Sequence, residues 1–352
     1  MLVNTARRGT PGGRNVRRFA AVSWIAIPLA GVLALSGCSS VKTGGDELQI
    51  VANPAAARPA VSPAVTVKPA GQVLATGSVS AVAVDEKTST LVVAVSQPPS
   101  LRLYDLNALA SAPVNMPLYG KVSRLTVTPG RVEIAEPDQG VVQQLTLPDR
   151  KLTETKTGGE PAASLAFGAD RLVAMGAGKD IQVLPPGGAA RTIAGQLYSA
   201  DDVLDTGDGV VVLDRLRTAV FSVDVAAGKV NEGLRAGDGA ANAVTDSYGR
   251  VLVTDVRAGA LIAFSASPLI MRQRYPVPGG AYGIAYDAKR SLAWVTLTER
   301  NEVAGFDVRG GEPVEKYRFP TVRQPDSVGV DEKSGRVIVG SAAGEGTQVI
   351  QP

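Results

Sequence analysis

Histidine is absent from all 352 residues, and cysteine occurs once, as Cys38. The first absence removes Ser-His-Asp and Cys-His catalysis and the commonest general base near neutral pH. Together the two remove ordinary zinc, copper and haem ligation, and no disulfide can form within the chain. Aromatic residues make up 5% of the sequence, too few for a stacking surface that holds sugars or bases. A long helical period is missing. So is a strong net charge, although the formal total of +3 hides this. The first 37 residues hold Arg7, Arg8, Arg14, Arg17 and Arg18 and no acid, which leaves 31 basic and 33 acidic residues beyond them. A nearly neutral body gives nucleic acid no electrostatic foothold. With 45% apolar residues, the chain is long enough to bury a sizeable core and must be stabilised by packing alone.

What is present starts with a charged N-terminus, then the apolar run "FAAVSWIAIPLAGVLAL", then "LSGCSS". The run is short and broken by proline, so it fits a signal peptide better than a membrane span. Leu35-Ser36-Gly37-Cys38 resembles a bacterial lipobox. That resemblance implies cleavage before Cys38, acylation of its thiol, and export to the outer face of the cytoplasmic membrane. There the acyl chains hold the protein, each buried methylene adding roughly 0.8 kcal/mol. Arg17-Arg18 has the core of a twin-arginine signal but poor flanks. Residues 1–37 are thus assigned to a lipoprotein signal peptide. Residues 38–70, dense in Pro and Ala, are assigned to a semi-extended tether that lifts a domain off the bilayer. "SSVK" at Ser39 to Lys42 matches the Ser-x-x-Lys pattern of serine acyl-enzymes, but a tether beside the lipid offers it no pocket.

From about Gly77 the text is periodic. A small turn position recurs at Asp85, Thr128, Gly168, Asp205, Asp246, Asp287 and Asp331, which defines seven units. Each unit has a short apolar strand, a turn, a strand richer in Val and Leu, and a third strand such as "VFSVDV"; most add a polar fourth, such as "VEKYRFP". The grammar resembles NHL and YVTN-type (YncE-like) propeller repeats, most clearly from Val244 to Phe264 and from Ser327 to Gly340. The fold expected for residues 71–352 is an all-β, seven-bladed, monomeric β-propeller with four-stranded blades. The last unit is one strand short, so a strand from "AVTVK" or "QVLAT" before the first unit is expected to complete it and close the ring.

Two polar sets are candidates for chemistry. Arg124, Asp201, Asp202, Asn242, Tyr282 and Asp326 stand at the start of the innermost strands, hence near one mouth of the central channel. Asp202, Asn242 and Asp326 offer oxygen ligands for Ca²⁺, as in the propeller lactonases that this arrangement resembles. The second set lies in the turns between second and third strands: Asp214, Arg215 and Arg217, then Asp255 and Arg257, then Glu299, Arg300 and Asn301. Arg323 and Gln324 extend it. Three consecutive blades would show an acid and an arginine side by side, which suits a planar anionic or protein partner. Alternatively, each arginine pairs with a nearby acid and staples blades. Quinone-dependent sugar dehydrogenases share the propeller shape but generally use a histidine base, so they fit badly. "MGAGKD", Met175 to Asp180, lacks the full phosphate-loop pattern and falls between strands. Trp294 is expected in the core. The expectation is therefore a lipid-anchored scaffold that binds an envelope protein through Arg215, Arg217, Arg257, Arg300 and Arg323, without a required cofactor. The alternatives are a Ca²⁺-dependent lactonase-like hydrolase and a carrier of a small anionic envelope metabolite at the channel mouth.

Overall fold

The computed structural model describes residues 54–352; Cys38 and the signal segment lie outside the described residues. Seven antiparallel sheets of four strands follow one another along the chain. Their first strands are Val79–Asp85, Arg124–Thr128, Ala163–Phe167, Asp202–Asp205, Ala240–Thr245, Ala281–Asp287 and Pro325–Asp331. Each neighbours the first strand of the next sheet, and the seventh returns to the first, so the sheets are blades around a central channel. The expected seven-bladed propeller is what the chain forms.

The strand order explains the sequence texture. Second strands such as Arg250–Asp255 and Leu292–Leu297 are covered on both faces by adjacent blades, so their apolar residues run almost without a break. Fourth strands such as Val314–Pro320 lie at the rim and are mostly polar and exposed. Between blades 1 and 2 the core holds Leu101, Ile134 and Leu145; between 4 and 5 it holds Leu213, Val253, Ile262 and Phe264. Trp294 is fully buried between blades 6 and 7, where it stacks on Tyr317 and Phe319 at 5.6 and 6.3 Å.

Blade 7 takes its outer strand from the N-terminal side: Gln72, Val73 and Leu74 pair with Val349, Gln348 and Thr347. Buried Gln348 reinforces the seam, donating from Nε2 to Ala70 O at 2.7 Å and Pro320 O at 3.0 Å and accepting from Val322 N at 3.0 Å.

The blades differ in one respect. In blades 2, 3 and 4 the first and second strands keep one register throughout. In blades 5, 6, 7 and 1 the register shifts at the start of the first strand. Ala241 and Asn242 stand opposite Thr254, and Tyr282 and Gly283 opposite Thr296, while Asp326 and Ser80 are each an extra residue. These are β-bulges, which bend a strand and re-aim its side chains.

Candidate functional site

The face at which the first strands begin, called here the upper face, also carries the turns between second and third strands. The channel opens on it as a cavity of about 1390 Å³. Each of the four bulges reaches this cavity, through Ser80, Asn242, Tyr282 with Gly283, and Asp326, together with Arg124 and Lys121 from the regular half of the ring. Asp202 and Asp201 stand outside that lining.

Hydrogen bonds fix the bulges. Thr254 Oγ1 donates to Tyr282 O at 2.7 Å and accepts from Asn242 N at 3.2 Å. Thr296 Oγ1 accepts from Gly283 N at 2.8 Å. Asn242 Nδ2 donates to Tyr282 O at 3.1 Å, which ties blade 5 to blade 6. Arg124 does the equivalent across the channel: its Nη2 is 2.7 Å from buried Asp202 Oδ2 in blade 4 and donates to Ala243 O in blade 5 at 2.8 Å. Burial pushes the Asp202 carboxyl up, with Arg124 opposing. Asp326 is raised to about 6, first by burial, against the Gln324 Nε2 hydrogen bond at 2.8 Å and the positive charge of Lys121.

These contacts show how the first candidate set is held. Arg124, Asn242, Tyr282 and Asp326 do converge on one mouth, but Arg124 is engaged with Asp202 and a carbonyl, Asn242 with Tyr282 O, and Asp326 with Gln324. Among the described residues, no three His, Cys, Asp or Glu side chains group closely enough to hold a metal ion. Asp202 lies behind Arg124, and Asp326 is held by Gln324, so the carboxylates do not form the oxygen cage that Ca²⁺ requires.

The second set is rearranged more strongly. Of the three acids in the set, Asp214 and Asp255 do not stand beside the arginines on the surface, while Glu299 is exposed next to Arg300 as expected. Glu136, Asp214 and Asp255, which end the second strands of blades 2, 4 and 5, are fully buried. Each accepts N–H groups from the loop leading into its own blade: Glu136 from Gly120 at 2.9 Å, Asp214 from Tyr198 at 2.6 Å, and Asp255 from Asp238 at 3.0 Å and Gly239 at 2.9 Å. Their role is to pin loops. Arg217 is a correction to the expected patch, because it is only 3% exposed. Its guanidinium lies over the rings of Tyr198 and Phe221 at 5.2 and 4.9 Å and donates to Gln196 O, so it is part of the packing. Arg257, Arg300 and Arg323 are exposed and Arg215 is half-buried. Among the described residues, the side chains of Arg300 and Arg323 have no hydrogen-bond or ion-pair partner.

Two other arginines of the set grip something that sequence reasoning placed elsewhere. Residues 54–63, assigned to the tether, lie on the upper face, and Ala57 and Ser62 are buried there. The packed structure therefore begins before residue 71. Arg257 Nη2 donates to Ala55 O at 2.8 Å and Arg215 Nη2 to Ala57 O. Asn301 Nδ2 donates to Pro63 O at 3.0 Å, and Gln324 binds both Ala60 O and Ser62 N. The spacing of prolines marked this segment as extended; nothing in its composition marked where it would be held.

No protein-family model and no curated protein sequence matches the chain. Solved structures do. A hydrazine synthase chain from Kuenenia stuttgartiensis superposes with a TM-score of 0.67 at 15% identity, over 82% of this chain and 99% of that one. A streptogramin B lyase gives 0.67 at 12%, over 80% and 96%. The Cps50 (Swd1) β-propeller domain from Myceliophteria thermophila gives 0.68 at 9%, over 80% and 99%. The fold is a seven-bladed β-propeller. At these identities the likeness extends to the fold alone, and the propeller's role must be read from its own side chains.

Proposed function

We propose that this propeller is an exported binding protein, anchored through acylated Cys38 at the outer face of the cytoplasmic membrane, whose upper face engages an envelope protein. The observation that carries this reading is the pair of arginines on neighbouring blades, Arg300 and Arg323, whose guanidiniums are exposed and unengaged among the described residues. Guanidinium groups in that state are suited to carboxylate-bearing or aromatic partner surfaces. Arg257 flanks them, with part of its donor capacity used on residue 55.

Catalysis finds less support. A Staphylococcus aureus virginiamycin B lyase, similar to this chain at a TM-score of 0.66 and 11% identity over 80% of this chain and 97% of that one, is catalytically inactive when a histidine is changed to alanine. This chain has no histidine to take such a role. A carrier of small anions finds less support too, because Arg124, a cation lining the mouth, is committed to Asp202 and to a carbonyl.

The test is crosslinking and capture of the membrane-bound protein in its native envelope. Wild type should retain a protein that the Arg300→Ala/Arg323→Ala chain loses, and Cys38→Ser should move the propeller out of the membrane fraction. Equal capture by both chains would remove the arginines from the reading. Membrane retention of Cys38→Ser would remove the lipid.

A further inference from the structure

The segment that crosses the upper face shows what that face recognises. Pro54, Pro59 and Pro63 keep residues 54–63 extended and supply no N–H, so the main-chain carbonyls are the strongest groups the segment offers. Four side-chain donors, from four consecutive blades, meet four of those carbonyls. Arg215 takes Ala57, Arg257 takes Ala55, Asn301 takes Pro63, and Gln324 takes Ala60 at 2.9 Å. Gln324 also accepts from Ser62 N at 3.0 Å, and Ser62 Oγ donates to Thr298 O at 2.5 Å.

The floor of this groove selects small side chains. Ala57 packs on Ala241 and Val256, with Tyr282 alongside. A Cβ on Gly239 would stand 3.1 Å from the Ala57 methyl, and one on Gly280 would stand 3.2 Å from that of Ala60. The two glycines therefore let the segment's methyl groups approach closely, with Ala57 buried and Ala60 partly so. Arg58 and Val61 point to solvent, Val61 at 84% exposure, and take no part. The groove thus reads main-chain carbonyls plus methyl-sized residues at two positions. None of its contacts requires that the segment be covalently joined to the propeller.

We propose that this groove is a docking site for extended, proline- and alanine-rich segments of another protein, and that residues 54–63 are its resident occupant in cis, which a partner segment must displace. The proposal deepens the binding reading above by giving the partner its chemistry: a polyproline-like stretch with small side chains, held through its carbonyls. The resident segment acts as a competitor at the high effective concentration that a short covalent link provides, so the face is closed to weak ligands and open to partners that also reach Arg300 and Arg323.

The test uses the purified full chain with residues 55–63 replaced by Gly and Ser, and a fluorescent peptide of residues 54–66 as probe. Anisotropy should show saturable binding to the replaced chain and at least about ten-fold weaker binding to wild type, whose groove is occupied. Adding Gln324→Ala to the replaced chain should weaken the peptide by a further several-fold. A replaced chain that melts cooperatively yet ignores the peptide would overturn the proposal, and so would equal binding to replaced and wild-type chains. Should the replaced chain fail to melt cooperatively, the titration is repeated on full-length Ala57→Leu/Ser62→Ala, which loosens the resident segment at its buried methyl and its hydroxyl and leaves every groove donor in place. There the loosened segment should admit peptide better than wild type does, and no gain over wild type would overturn the proposal. Because no envelope partner enters this titration, its failure is separable from a failure of the capture experiment.

Discussion

Blades 2, 3 and 4 and blades 5, 6, 7 and 1 bury the same kind of Val- and Leu-rich core, yet their upper ends are built differently. In the first group the paired strands run in register to the end. In the second, every first strand bulges, each bulge sends at least one residue into the cavity lining, and the extended N-terminal segment lies across blades 5 to 7 with one further contact, Arg215, from blade 4. One half of the ring is scaffold in the plain sense. The other has traded regular pairing for side chains aimed at the mouth. An extra residue or two per blade is enough to give the two halves of one repeat ring different upper ends.

The contrast can be broken first through the cores. Trp294→Ala in the bulged half should cost about 4 kcal/mol and Leu172→Ala in the regular half about 3, read from denaturant midpoints. If the halves are one cooperative unit, Leu172→Ala will shift the Trp294 fluorescence transition of the whole ring. A separate transition for blade 3 would mean that the halves fold apart. Next comes Arg124, which pairs with Asp202 inside the regular half and reaches the bulged half through Ala243 O. Arg124→Ala leaves buried Asp202 without its partner and should cost about 3 kcal/mol, while adding Asp202→Asn should recover a good part of that. An undiminished melting point would show that the link carries no load. The smallest effect sharpens the bulges themselves. Asp326 titrates near 6 rather than 3.8, so between those values the folded chain keeps a proton that the unfolded chain releases. Stability supplied by this group is complete below about pH 4 and is lost as the pH rises through 6. Asp326→Asn should flatten that slope and raise stability at pH 7 by about 2 kcal/mol. An unchanged slope would place Asp326 in an ordinary solvated setting.

The ring was legible because its signal is repeated: the turn residues Asp85, Asp205, Asp287 and Asp331 do end first strands, and Trp294 is core. The mouth was half legible. Asn242, Tyr282 and Asp326 were found by position, but a bulge inserts residues without disturbing the apolar pattern around it, so their shared backbone irregularity leaves no mark in composition. Arg217 misled because "LDRLR" gives both arginines the same neighbours, while only the structure reveals that one of them lies over Tyr198 and Phe221. The N-terminal segment was the hardest to place. Pro and Ala signal an extended chain equally well whether it is free or seated, and the donors that seat it come from residues some 160 to 260 positions away.

The seam in blade 7 rests on only three paired residues, Gln72 to Leu74, and it joins the two ends of the ring. Any pull applied on the N-terminal side of Pro54 must travel along residues 54–70 before it reaches that seam. The load meets Arg257, Arg215, Gln324 and Asn301 in turn, each releasing one carbonyl, and the blades stay closed while it does. The segment that occupies the face thus stands between any such pull and the three-residue pairing that joins the two ends of the ring.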